Sequence, residues 1–246
     1  MNTLAAEIKK SRHRYNGLVA VSLALFVLMW ALYSSTSMEE ELDQAYFGLF
    51  YALPMMNTVV MPLGTAVLAS RLWDLESKDN NCRILLTLQS RRALFLGKGA
   101  VALAQLVLIC AVEGFGILAL GRQYTQPIPW GQFWWLLMTT FAVNAMLFFL
   151  WLLLSIRFDN QVPTLAAGMV GSLSGLFSAF LPPMVSYFMP WGYYIPFGTI
   201  RMDWNPETKI VRYYAIPYPV WLLLLTMGLW LLFALLAWKA LKRKEV

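Results

Sequence analysis

The chain is poor in the residues that do chemistry. Among 246 residues it has one histidine, His13, and two cysteines, Cys82 and Cys110. The cysteines lie far apart in sequence and no His/Cys cluster accompanies them, so no metal site is expected. There is no G-x-x-x-x-G-K-[ST] phosphate loop. The nearest string, Gly97-Lys98-Gly99, lacks the upstream glycine and the hydroxyl residue, so this polypeptide does not hydrolyse ATP by that route and is not read as an enzyme. Gly171-Ser172-Leu173-Ser174-Gly175 has the outline of a nucleophile loop, yet no histidine lies in any apolar stretch to activate a serine. Charged residues are scarce at 13%, about half the share of a soluble domain. Within the apolar stretches the only carboxylate well inside is Glu113, too few ionisable groups for proton- or sodium-coupled transport.

Long apolar runs are abundant. Six stretches, 17–35, 46–70, 99–120, 133–156, 164–181 and 219–238, approach the roughly 20 apolar residues that cross a bilayer as a helix. The expected fold is all-α, a polytopic membrane protein with six transmembrane helices in one domain over 1–246. The first span is too long for a signal-peptide core and five more follow it. Of the nineteen Lys and Arg, fifteen fall on one side of this layout, in the N-terminal tail, the segment 71–98, the link at Arg157 and the C-terminal tail. By the positive-inside rule both termini are cytoplasmic. Glu39, Glu40, Glu41 and Asp43 then lie outside. The net charge of +6 follows from this topology and from attraction to anionic inner-leaflet lipid. It does not require nucleic acid. Cys82 is cytoplasmic and Cys110 is inside span three, so no disulfide is expected.

The longest cytoplasmic connection, 71–98, holds a charged first half, the aliphatic run Ile84-Leu85-Leu86 with Leu88, a polar break at Gln89-Ser90, and then Arg91-Arg92. Ser90 reads as the N-cap of the helix entering span three. The aliphatics either cover the inner ends of neighbouring spans or fit a groove on a soluble partner. Residues 1–16 read as an amphipathic interfacial helix, with Leu4, Ile8, Ser11 and Tyr15 on one face and Lys9, Lys10, Arg12 and Arg14 largely elsewhere. The alternative is a disordered basic tail. Span five carries a small-residue stripe, Ala167, Gly171, Gly175 and Ala179, that permits close backbone approach within the subunit or across a dimer. Span three places Gln105 and Glu113 on one face. A mid-bilayer carboxylate costs roughly 2.5–3.5 kcal/mol, so Glu113 should face protein or water, with Asn144 or Asn57 as partners, in either a packing or a pathway role. The outer segment 182–218 is dense in Pro, Trp, Tyr and Phe. Its aromatics, Trp191, Tyr193 and Tyr194 among them, form an interfacial belt or a surface of short helices that meets cargo.

The run from Glu76 to Lys98 resembles the corresponding loop of ABC-2 type permeases, in particular the lantibiotic-immunity branch. There a glutamate, a polar stretch, an aromatic, a basic residue and a leucine run are followed by proline-x-serine-arginine and a lysine at the next helix. Glu76, Arg83, Leu85, Leu86, Ser90, Arg91 and Lys98 match, while Cys82 stands where an aromatic is usual and Gln89 where proline is usual. The resemblance implies a permease subunit of the bacterial plasma membrane, paired with an identical or related permease and bound to two copies of a separate ATPase that carries the ATP and Mg; this chain itself binds no cofactor. It implies that Glu76, Arg83, Ile84, Leu85, Leu86, Leu88, Ser90 and Arg91 belong to the ATPase-coupling loop, and that span five lies near the dimer interface and the translocation route. The implied cargo is a lantibiotic or similar peptide. The alternatives are another hydrophobic cargo, such as a drug or lipid, and a non-transporting scaffold that docks a soluble partner.

Overall fold

The computed structural model describes residues 3–36, 45–77, 89–122, 124, 126–158, 160–204 and 211–244. The chain opens with helix α1 (Thr3–His13), turns at Arg14 and Tyr15, and enters α2 (Asn16–Thr36). Tyr15 has φ 54°, a left-handed conformation that a bulky side chain adopts only under constraint. That residue is the elbow that redirects the backbone from α1 into the first long apolar helix. Then follow α3 (Ala45–Ser77), α4 (Arg91–Gly121), α5 (Trp130–Arg157) and α6 (Val162–Ser178), and the last long helix is α9 (Val220–Arg243). Among the described residues α2, α3, α4, α5 and α9 are long and apolar enough to cross a membrane, whereas α6, with 17 residues, is a shorter apolar helix. The expected stretches coincide with these six helices, but α3 and α4 run well beyond them, to 33 and 31 residues. At 1.5 Å per residue each is about 45–50 Å long, more than the roughly 30 Å of hydrocarbon. Their excess lengths, the end of α3 and the start of α4, project at the end of the bundle that carries both α1 and the C-terminal turn of α9, hereafter the basic end.

α5 is the central helix. Val143 through Phe148 are completely buried in succession, a surface apolar except at Asn144 that needs neighbours on every side. α3 and α6 cover one flank, and Trp151 donates to Thr65 Oγ1 of α3 at 3.1 Å. α9 covers another through Trp230 against Phe141 and Phe149, and remains the most peripheral span. α3 contains Pro54 and Pro62, each of which removes a backbone donor and frees the carbonyl four residues earlier. α6 packs against this irregular part. Its Ser172 Oγ accepts from the Leu63 amide at 3.2 Å, and a Cβ on Gly168 would lie 2.6 Å from the Cβ of Ala66.

The end opposite to the basic end corrects the all-α expectation. After α7 (Pro183–Ser186), a 3-10 turn at Pro190–Gly192 and α8 (Tyr194–Phe197), the chain forms an antiparallel hairpin of β1 (Ile200–Trp204) and β2 (Val211–Ala215). Ile200 pairs with Ala215 and Trp204 with Val211. β-branched and aromatic side chains favour this pairing, and the Tyr213 ring lies 5.9 Å from that of Tyr51 of α3, tilted at 52°. The short helices expected in 182–218 are present, and the hairpin is added to them.

Candidate functional site

At the basic end the projecting parts of α3 and α4 are clamped to α1 by buried charge. Lys98 is 2% exposed and Glu76 is 1% exposed. The Lys98 ammonium donates to Glu76 Oε1 at 3.0 Å, to the Leu72 carbonyl at 2.6 Å and to Glu7 Oε2 at 3.5 Å. An ammonium has three hydrogens, and each has an acceptor here. Lys10 adds contacts to Glu7 Oε1 at 2.8 Å and Glu76 Oε1 at 3.0 Å. Gly97 makes room for this approach, since a Cβ there would lie 3.1 Å from Glu7 Cγ. A second set of contacts fixes the elbow: Arg14 pairs with Asp74 at 3.0 Å, and Arg71 donates to Asn16 Oδ1 at 3.0 Å and to the Arg14 carbonyl. Desolvation of Glu76 works to raise its carboxyl, but the Lys98 and Lys10 ammonium groups outweigh it and hold it below the ordinary 4.5. Desolvation of Lys10 works to lower its ammonium, and Glu7 and Glu76 together hold it above 10.5. Both stay charged at neutral pH.

Three of the expected coupling residues belong to this framework. Glu76 is an internal counter-ion. Ser90 caps α4 as the sequence predicts, its side chain accepting from the Ala93 amide at 3.2 Å. Arg91 donates to the Lys242 carbonyl at the end of α9. Arg83, Ile84, Leu85, Leu86 and Leu88 lie outside the described residues. Glu7 and Asp74 were not singled out by the sequence, and Lys10 only as one of the basic residues of the tail. The available signal was one acid, Glu7, in an otherwise basic tail, three residues before Lys10.

The interior polar residues are arranged differently. Asn57 of α3, Glu113 of α4 and Asn144 of α5 are fully buried. Tyr194 of α8 reaches in and donates to Asn144 Oδ1 at 2.7 Å. Glu113 faces the Asn57 amide, yet both carboxyl oxygens, both Asn57 polar atoms and the Asn144 Nδ2 lack a hydrogen bond of good geometry. The expected partnership of Glu113 with Asn57 is therefore a juxtaposition, and Asn144 pairs with tyrosine. Gln105 stands apart from this group: its Nε2 donates to Ser11 of α1 at 3.0 Å.

The small-residue stripe of α6 is occupied inside the chain. Gly171 lies against Pro62 and Trp151, and Gly175 against Thr58. Ala167 packs against the core. Ala179 lines a small cavity with Tyr51 and Pro54. The opposite face of α6, with Met169, Val170, Leu173 and Phe177, is exposed. At the other end of the bundle the rings of Tyr193 and Tyr194 are buried, with the Tyr193 hydroxyl donating to the Tyr187 carbonyl at 2.6 Å. Trp191 is half-buried. The aromatics open to the surroundings there include Phe180, Phe188, Tyr214, Tyr218 and Trp221, with Trp130 and Trp134 at the start of α5.

No curated protein matches the chain. The family model described as ABC-2 family transporter protein matches residues 3–175. The match begins with α1 and ends within α6, so it includes the clamp, both flanks of the segment between α3 and α4, and the interior polar residues. The hairpin and α9 lie beyond it. With about two thirds of its length matched, this multi-pass membrane protein belongs to the ABC-2 family of transporter proteins.

Proposed function

We propose that the chain is the permease subunit of an ABC exporter, with six spans and both termini at the cytoplasmic face, in a bacterial plasma membrane. A separate ATPase, two copies per pair of permeases, docks on the segment between α3 and α4 and supplies the ATP and Mg chemistry. The observation that carries this reading is the clamp. Two helices extend past the hydrocarbon, and their extensions are bound to each other and to α1 by buried ion pairs. A force applied to the intervening segment is thereby delivered to three helices at once. The aliphatic run Ile84-Leu85-Leu86 suits a groove on the ATPase. The proposed cargo is a lantibiotic or similar amphipathic peptide. Exposed Phe188, Tyr214 and Tyr218 offer such a peptide apolar area with polar edges. They suit another hydrophobic cargo, such as a drug or lipid, as the second reading.

The test is co-purification. Leu85→Asp or Leu86→Asp should abolish recovery of the ATPase with the permease while the permease stays in the membrane at its normal level. Recovery of the ATPase at the wild-type ratio overturns the docking assignment.

A further inference from the structure

A groove of about 430 Å³ opens at the basic end between α1, the start of α2 and the first half of α4. Its walls are mostly apolar, with Ile8, Leu18, Val101, Ala104 and Leu108, and three polar side chains, Ser11, Arg12 and Gln105, face it. No acid lines it. The nearest one, Glu7, is turned to the other side of α1 and is neutralised by Lys10 and Lys98. Arg12 is exposed, and its guanidinium makes no ion pair or hydrogen bond among the described residues. Gln105 is 6% exposed. It gives its amide hydrogen to Ser11, and its Oε1 has no donor. Ile8, Tyr15 and Leu18 at its rim are more than half exposed, an apolar border with one phenolic tip, suited to the boundary between headgroups and acyl chains.

We propose that this groove binds one molecule of an anionic glycerophospholipid from the leaflet at the basic end. The acyl chain lies along Val101, Ala104 and Leu108, and the phosphate sits at Arg12. The groove is the wrong size for a protein helix: at about 10 Å across, a helix would fit for roughly one turn. Its charge is the wrong sign for a cationic peptide. A flexible chain bearing one negative phosphate satisfies both the width and the lone guanidinium. Because Ser11 and Gln105 join α1 to α4, a lipid held there is a third component of that junction.

Native mass spectrometry of the full chain, equilibrated with equal amounts of phosphatidylglycerol and phosphatidylcholine of the same acyl length, tests this. The wild type should retain phosphatidylglycerol preferentially. Arg12→Gln should reduce that preference about fivefold, the effect of one basic side chain at a lipid surface, and Arg12→Lys should preserve it. Ala104→Trp fills the groove and should lower retention of both lipids while the melting temperature stays near that of the wild type. Millimolar inorganic phosphate should not displace the lipid, because it has no acyl chain. Unchanged preference in Arg12→Gln, or unchanged retention in a folded Ala104→Trp, overturns the proposal. Displacement by phosphate alone shows a simple anion site and overturns it as well.

Discussion

Lys98 directs its ammonium at Glu7, Glu76 and the Leu72 carbonyl, whereas Glu113, fifteen residues and about 22 Å further along the same helix, completes no hydrogen bond at all. Both residues are buried and ionisable, and both sit on α4. The difference is in what surrounds them. At the basic end opposite charges from three helices converge, so one arrangement is favoured over every slipped alternative. In the interior the neighbours are neutral amides and a phenol, and of these only Tyr194 and Asn144 are joined by a hydrogen bond, which leaves Glu113 unpaired. The contrast teaches that the bundle is tied at one end and only loosely specified by polar contacts at its middle, where apolar packing around α5 carries the order.

The largest effect should come from breaking the tie. Lys98→Met leaves Glu7 and Glu76 buried without their main counter-charge, a loss of about 3–5 kcal/mol, measurable as a sharply lower melting temperature in detergent. Replacing the whole group with apolar residues, Glu7→Leu, Lys10→Met, Glu76→Leu and Lys98→Met, should recover most of that loss, since a buried ionic group often contributes specificity more than stability. If the quadruple variant melts as low as the single one, the charges themselves hold the end together. Acid should produce a smaller effect. The Glu76 carboxyl is held below 4.5, so its stabilising contribution is complete above that pH and is lost as pH falls through the folded value. The melting temperature should stay flat down to the ordinary carboxylate range and drop below it, and the Glu76→Gln variant should have a shallower acid arm. Equal acid arms would assign the drop to other carboxylates. Lys10 acts with the opposite sign, its contribution persisting below 10.5 and fading as pH rises through its elevated value. The smallest effect belongs to the interior. Tyr194→Phe removes one interhelical hydrogen bond, an expected loss of about 0.6 kcal/mol by reversible unfolding in mixed micelles. A loss as large as that of Lys98→Met would erase the contrast between the basic end and the interior.

The spans were legible because each is a long apolar run, and Ser90 was legible because it sits between a polar break and a helical pattern. Glu113 could be assigned an inward direction from the cost of exposing a carboxylate to lipid, and Asn57 and Asn144 were the only amides at matching depth. The clamp was legible only in part. Glu76 and Lys98 stood out through a resemblance whose emphasis was on the loop between them, and periodicity in the tail put Leu4, Ile8, Ser11 and Tyr15 on one face. In the structure Ile8 and Tyr15 are exposed, Ser11 of that face is buried against Gln105, and Glu7, which the pattern did not mark, turns in to the Lys98 ammonium. A glycine stripe announces close approach without naming the neighbour, which turned out to be the proline-bearing part of α3. The hairpin was hidden by its aromatics: Ile200-Arg-Met-Asp-Trp and Val211-Arg-Tyr-Tyr-Ala read as membrane belt before they read as paired strands.

The clamp also imposes an order in time. Glu7 and Lys98 are 91 residues apart, while Glu76 and Lys98 are separated by 22. A ribosome makes Glu7 first, and although Lys10 follows at once, the partner on α4 does not exist until α2, α3 and the beginning of α4 have been synthesised. The junction of α1 with α4 must wait through that interval, and it can close while α5, α6 and α9 are still to be made.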